Sequence, residues 1–471
     1  MAMGTVMKSL DPIDLYDDAI LSEDNRVIDE RVRQCVGGNE LLSAQAALSD
    51  MISSRGLHFE GRSYPVSLRP LAIDQRAEAI IIALAEQFVS ILDTAAKLYC
   101  ETEQVRDCFP CYRSVTRFIT SMPALAPLVR ICRLDGLFDA RGRYCIIETN
   151  TEGPGGVIQN GLAGRIWAEA KNPLTSGLRL DVYKQPFVAN PDCFLHELLS
   201  THRELTGRYP KRAAVVNFRS RYRNEVDWIT RGLNGLGVET VTADAASLKR
   251  KSGCLTDETG AALDLVYNKL DVRDLLDEPT VEDYLTATAN HEVTCINPWV
   301  AQWVLSDKAI LAVLSDDRFG SNFTATERDL IRSHVPWTRV VRDLYTTDKE
   351  RQRVNLLPFA IAKRDELVLK PSNATRGEGV KIGLLTDPTE WVSSLNHAAE
   401  AKNESYVVQE YIPAPRLNAP HPSDGTVETM GFGLDVYVFG GRVAGYQARA
   451  SLDPVMNVGK RGILLPVGIT S

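Results

Sequence analysis

The sequence predicts a mixed α/β (α+β) protein: a helical layer towards the N-terminus, a small parallel-sheet unit in the middle and antiparallel strands at the end. Three patterns carry that reading. Ile80, Leu84, Phe88, Ile91, Ala95 and Leu98 recur at three- and four-residue spacing, which draws one apolar stripe along a helix. Residues 212–270 alternate short apolar strand runs with a helical face. Residues 432–449 show period-two alternation around Gly440-Gly441, the pattern of a hairpin.

Taken in order, residues 1 to about 30 are polar and weakly periodic, which predicts a loosely held arm. The stripe that follows places a helical layer within about 70–130, and its apolar residues are core. Residues 145–150, Cys-Ile-Ile-Glu-Thr-Asn, read as a buried strand, with Arg133 and Asp135 on the neighbouring strand of a hairpin. In the middle unit, 213–218 is a strand run. Val226, Ile229, Leu233 and Leu236 form a helical face stopped by Gly237, and 238–242 and 263–267 are further strands, together a βαβ arrangement on a parallel sheet. A helix is expected around 305–314, strands at 366–370 and 406–412, and an exposed Pro-, Asp- and Gly-rich loop over 413–430.

The chain has 471 residues, enough for roughly three domains. It is 44% hydrophobic and 24% charged, as expected of a globular protein that buries its own core. Its 53 Lys and Arg against 61 Asp and Glu give a net charge of −8, which argues against a broad nucleic-acid-binding or polybasic membrane face but leaves room for a local basic pocket. The apolar stretch 79–85 is closed by Glu86, so no membrane span is expected, and no signal peptide is evident before the acidic run that starts at Asp11. Nine cysteines, odd in number and scattered, suit reduced thiols and a cytoplasmic location. Cys108 and Cys111 have metal or redox spacing, but no second pair completes a tetrahedral site, and they are read as structural.

Several familiar sites are excluded. There is no G-x-x-x-x-G-K-[ST], no G-x-S-x-G, no H-E-x-x-H and no G-x-G-x-x-G after the first strand of the middle unit. His196-Glu197 followed by His202 has the wrong spacing for a zinc helix. What remains makes sense jointly. A strand ending in Lys370-Pro371, followed by a Ser-, Thr- and Gly-rich loop to Gly379, suits polyphosphate oxygens. The strand "VVQEYIP" could grip an adenine edge and a ribose hydroxyl through its main chain and Glu410. Glu148 and Asn150, on one face of their strand, offer two oxygen ligands to Mg²⁺.

In their order and approximate spacing, Arg133-x-Asp135, "IIETNTEGPGG", "RNEVD", "LDLVYNKLD", "SDKAILAVL", "LVLKP", "VVQEYI" and "DVYV" with Arg449 resemble eukaryotic-type glutathione synthetase, and more broadly a circularly permuted ATP-grasp ligase. The resemblance covers about 130–471. It implies an ATP-grasp fold with a Rossmann-like substrate lobe, divided as a helical N-terminal region 1–130, metal-binding strands and a connection 131–200, the substrate lobe 201–300 and the nucleotide domain 301–471. It implies that Glu148 and Asn150 bind Mg²⁺, that Lys308 and Lys370 touch ATP phosphates, and that Gln409, Glu410, Tyr411 and Ile412 line the adenine pocket. Arg449 and Arg133 are similar to arginines that meet the acyl phosphate and the phosphate and carboxylate site. Asn224 and Lys269 correspond to substrate-contacting positions, and the cluster with Arg221 could receive a second carboxylate. A homodimer is an expectation carried by the resemblance alone.

The sequence also departs from that pattern. Glu152-Gly153-Pro154 replaces small hydroxyl residues, Lys269 stands where an arginine is expected, and Ala374 replaces an acidic residue, leaving Asn373 or Glu378 as substitutes. The segments 377–383 and 457–462 are lid candidates. The expected activity is an ATP-dependent carboxylate–amine ligase acting on small molecules, with no nucleic-acid or membrane partner. A phosphotransferase on the same site and a degenerate nucleotide-binding scaffold remain as alternatives.

Overall fold

The computed structural model describes residues 22–35, 38–59, 61–219, 222–456 and 462–470. It is a mixed α/β structure with several sheets. The helix Gln75–Glu101 starts where the Asp74 side chain accepts a hydrogen bond from the Ala77 amide at 2.7 Å. Its stripe is buried as expected at Leu84, Phe88, Ile91, Ala95 and Leu98, with Ile81 rather than Ile80 at the start. Despite Glu86, this helix is long and apolar enough to cross a membrane, with a hydropathy of 1.6 over its best window. In the fold it packs against the Arg442–Ser451 strand and the Val300–Leu305 turn, and Glu86 pairs with Arg442 at 2.9 Å. Its apolarity therefore matches the core of this structure.

The sheet that organises the site is antiparallel. Its order runs Ile463–Leu465, Arg442–Ser451, Val427–Phe439, Ile131–Phe138, Tyr144–Asn150. Strands some 300 residues apart in sequence thus share one ladder, and the expected hairpin closes at Phe439 opposite Arg442. Register sets Arg133 opposite Asn150 and Asp135 opposite both Glu148 and Asp435. A second, parallel sheet has the order Thr294–Ile296, Leu265–Asn268, Arg212–Asn217, Glu239–Asp244. The helix Arg223–Gly235 covers it through Val226, Ile229 and Leu233. A third sheet pairs Tyr406–Glu410 with Thr338–Val340 and with Leu367–Pro371, backed by a cluster around Trp391, Leu395 and Leu356.

Three local expectations change. Within the N-terminal arm, Asp24–Gln34 is a helix that buries Ile28 and Val32, while Asn25 bonds both backbone groups of Ala72; residues 1–21 lie outside the described residues. The helix expected over 305–314 is broken. A wide turn, Val300–Leu305, ends before Asp307, whose carboxylate accepts from the Ala309 amide at 2.7 Å and starts a new helix, Ala309–Ser315. The loop expected over 413–430 contains the strand Arg416–Pro420, paired with the Val427–Phe439 strand. Arg416–Pro420 holds one proline, Pro420, at its end, which an edge strand tolerates because it needs fewer ladder amides, and Leu417 and Ala419 are buried in the core.

Candidate functional site

A cavity of about 550 Å³ opens where the three sheets meet, and it is lined by Arg133, Glu148, Asn150, Asn224, Lys269, Lys308, Lys370, Gln409, Glu410, Tyr411, Ile412 and Arg449. The metal, nucleotide and substrate residues expected from the sequence therefore line one cavity, except Arg221, which lies outside the described residues, and the substitute candidate Asn373.

The antiparallel sheet supplies a buried charge network. Arg133 grips Asp135 with two bonds, 2.7 and 3.0 Å. Arg449 reaches across to Asp135 at 2.8 Å and to Asp435 at 2.7 Å. Burial opposes ionisation of Asp135, yet the two arginines win and hold its carboxyl below the usual range. Asp435 goes the other way. Burial pushes it up to about 7, Arg449 opposes this and Asp135 adds to it. Two arginines facing two carboxylates are thus held rigidly at the cavity floor, with one carboxylate easily neutralised.

Alternation along Tyr144–Asn150 brings Glu148 and Asn150 to the cavity together. Lys308, at the break before its helix, pairs with Glu148 at 2.8 Å and donates to the Ala374 carbonyl at 2.6 Å. Ala374 thus contributes a backbone oxygen at the place where an acidic side chain was expected. The neighbouring Asp307 is buried and joins Tyr112, Ser372 and the Ala309 amide, which fixes the segment bearing Lys308. Lys370 donates to Gln409 at 2.7 Å. Burial lowers its ammonium to about 8, with Glu148 opposing and Lys308 adding to the fall.

The strand end at 409–412 is fixed beside the cavity because the Glu410 amide donates to the Trp337 carbonyl and the Tyr411 amide to the Glu366 carbonyl, both at 2.8 Å. The Gln409 side chain is engaged with Lys370 and Thr338, and Glu410 lies 3.4 Å from Lys349. Lys269 lines the cavity, but its three donors are spent within the protein, on the Gly153 carbonyl (2.8 Å), the Pro154 carbonyl (3.1 Å) and Glu225 (2.7 Å). In this structure it ties the 153–156 loop to the parallel sheet, and Asn224 sits at the exposed mouth.

That loop needs glycine. Gly153 has φ +94°, and a Cβ there would lie 2.5 Å from the Asn268 carbonyl oxygen. Gly153→Ala is expected to lower stability by about 2 kcal/mol, read as a shifted urea midpoint; an unchanged midpoint would count against this tie.

Glu378 lines the cavity, with its carboxylate 3.9 Å from Arg273, whereas Asn373 does not line it. Of the lid candidates, 377–383 borders the cavity and is held at one end by pairing of Lys381–Ile382 with Val368 and Leu369; residues 457–461 of the other lie outside the described residues. His202 is buried against Thr294, as befits a structural residue. Burial raises the Cys108 and Cys111 thiols, Cys108 to about 11. No cluster of three or more His, Cys, Asp or Glu able to hold a metal occurs among the described residues.

Sequence reasoning missed His58, Phe59 and Tyr64, which bring the N-terminal region to the cavity, and Gln159, Tyr222, Glu225 and Arg376. Isolated aromatic and amide residues carry no spacing signal. Only Glu225, inside "RNEVD", and Arg376, inside the Ser-, Thr- and Gly-rich loop after Lys370, lay within motifs already singled out.

No protein-family model matches the chain, and no curated protein matches it. Among solved structures, the crystal structure of D-cycloserine synthetase DcsG is similar at 15% identity and a TM-score of 0.27, over 42% of this chain. The chain covers 59% of the length of that protein.

Proposed function

We propose that the protein is an ATP-dependent ligase of ATP-grasp type, which joins a small-molecule carboxylate to an amine through an acyl phosphate and releases ADP and phosphate. The observation that carries this reading is the convergence of Lys308, Lys370, Arg133 and Arg449 on one cavity with the oxygen pair Glu148 and Asn150 and the strand end 409–412.

Glu148 and Asn150 suit Mg²⁺, which favours oxygen ligands and keeps waters and phosphate oxygens in its shell, so a cluster of three acidic side chains is not required. The buried Asn150 Nδ2 has no hydrogen-bond partner; as a donor it suits a phosphate oxygen, while the metal would take the Oδ1 of the same amide. When bound, Mg²⁺ would neutralise charge on the transferring phosphate.

Lys308 and Lys370 hold the polyphosphate and spread its charge. Gln409 fixes the Lys370 ammonium, and the strand end from Glu410 to Ile412 orients the base and ribose. Arg133 holds the substrate carboxylate for attack, and Arg449, steadied by Asp135 and Asp435, stabilises the oxyanion formed when the amine attacks. No nucleophilic side chain is needed.

The test is an acid-by-amine matrix with Mg-ATP and purified protein. ADP formation that requires both an acid and an amine is expected. ADP formed with a stable phosphoester would replace this reading with phosphotransfer, and absence of Mg-ATP binding by calorimetry would leave a scaffold.

A pH dependence follows from Lys370. Its lowered pKa, about 8, means the free protein carries the ammonium at pH 7 and loses it as pH rises through 8, while bound phosphate favours the charged form. ATP affinity should therefore fall about tenfold per pH unit above 8. Lys370→Met should bind ATP roughly 10–100-fold more weakly at pH 7 and show no such slope. Calorimetry between pH 6.5 and 9.5 checks both, and a wild-type slope that persists in Lys370→Met would contradict the assignment.

A further inference from the structure

The strand that carries Glu148 and Asn150 has a second face. Thr149 and Thr151 alternate with the two oxygen ligands, are buried at 1% and 0% exposure, and do not line the cavity. Their hydroxyls donate to main-chain carbonyls of the wide turn Val300–Leu305, Thr149 to Leu305 and Thr151 to Ala301 at 2.7 Å. A third bond joins the same two segments, from Asn297 Nδ2 to the Thr151 carbonyl at 2.8 Å.

The Leu305 carbonyl needs that partner. In an unbroken helix it would accept from the Ala309 amide, four residues on. Here the Ala309 amide donates to the Asp307 carboxylate, so the break that places Lys308 at a helix start also takes away the ordinary donor of Leu305. The Thr149 hydroxyl replaces it. A buried carbonyl with no donor is costly, so strand and wide turn are bound to one arrangement. Single wide turns of this kind are concentrated at functional sites.

The consequence falls on Lys308. It lies just beyond Leu305, its amide donates to the Ser372 carbonyl at 2.9 Å, and its ammonium meets Glu148, the residue before Thr149, at 2.8 Å. One face of the strand presents the oxygen pair, and the other grips the main chain from which the lysine projects. Building on the ligase reading, we propose that Thr149 is a positioning residue: its bond to Leu305 sets the place of Lys308 relative to Glu148 and Asn150, so that the lysine and Mg²⁺ meet the same phosphate group. Thr151 supports it from the other end of the wide turn.

The experiment is a double-mutant cycle on the full-length protein, read as Mg-ATP affinity by calorimetry and as acid- and amine-dependent ADP release. Thr149→Val removes the hydroxyl at nearly constant volume, and Thr149→Ser retains it. Thr149→Val is expected to weaken Mg-ATP binding roughly tenfold and to lower turnover about 10²-fold, the larger loss falling on turnover because the transferring phosphate tolerates misplacement least. Thr149→Ser should stay within about threefold of the wild type. In a Lys308→Met background, Thr149→Val should add no further loss, since the group it positions is already gone.

A purely structural threonine predicts equal losses with and without Lys308. That result, wild-type affinity and turnover in Thr149→Val, or a Thr149→Ser as impaired as Thr149→Val would each overturn the proposal. Thr149→Ala, which leaves room for a water at the Leu305 carbonyl, replaces Thr149→Val should the latter not fold. Failure of both to fold would assign the residue to stability alone and overturn the positioning role. The two readings fail separately. Thr149-dependent Mg-ATP binding without any ADP formation removes the ligase and keeps the positioning role, whereas ADP formation indifferent to Thr149 removes the positioning role and keeps the ligase. A wild type that binds no Mg-ATP removes both.

Discussion

Arg449→Met is expected to lose about 3–5 kcal/mol of stability and at least about 10³-fold in turnover. Arg449 is the cation shared by Asp135 and Asp435, and both carboxylates are buried. Without it Asp135 keeps only Arg133, and Asp435, already raised to about 7 by burial with Arg449 opposing, becomes fully protonated at neutral pH. The stability loss and the catalytic loss have different origins and can be separated. Adding Asp435→Asn removes the carboxylate left without its arginine, so Arg449→Met/Asp435→Asn should recover most of the stability in urea unfolding. It should recover none of the acid- and amine-dependent ADP release, because the group proposed to face the oxyanion is still missing. Recovery of both would make Arg449 purely structural.

The second large effect is at Glu148. Glu148→Gln keeps the shape of the side chain but removes the charge that pairs with Lys308 and would hold Mg²⁺. Turnover should fall by about 10³-fold or more, since both metal placement and lysine orientation are lost. ATP binding without metal should not weaken, because Lys308 is released from a competing carboxylate. Calorimetry with and without Mg²⁺, together with ADP release, measures the two effects. Equal loss of metal-free ATP binding and turnover would mean that Glu148 acts by holding the fold.

The sequence was most informative where short strands carry alternating polar residues. Period two alone puts Glu148 and Asn150 on one face, and the register of the fold then sets Asp135 opposite Glu148. The parallel sheet and the hairpin at Gly440 were readable for the same reason: apolar runs bounded by turn residues. Other features depend on contacts distant in the chain. Lys269 reads as a substrate contact until the 153–156 loop is seen to take its donors. Asp435 carries no signal in "DVYV", since its importance comes from strands some 300 residues apart lying side by side. His58, Phe59 and Tyr64 sit in a segment with no periodicity, and only the folded chain brings them to the cavity. The strand Arg416–Pro420 was obscured by the prolines around it, of which only Pro420 falls within it, at the end of an edge strand.

The central claim is that a substrate carboxylate takes the γ-phosphoryl group of ATP before an amine displaces it. The most direct measurement uses acids labelled with ¹⁸O in the carboxylate, an amine and Mg-ATP, followed by mass analysis of the phosphate released. The account predicts one ¹⁸O atom transferred from acid to phosphate for each ADP and each amide formed. Amide formation with unlabelled phosphate, or ¹⁸O retained in a stable phosphorylated product with no amide, would contradict it.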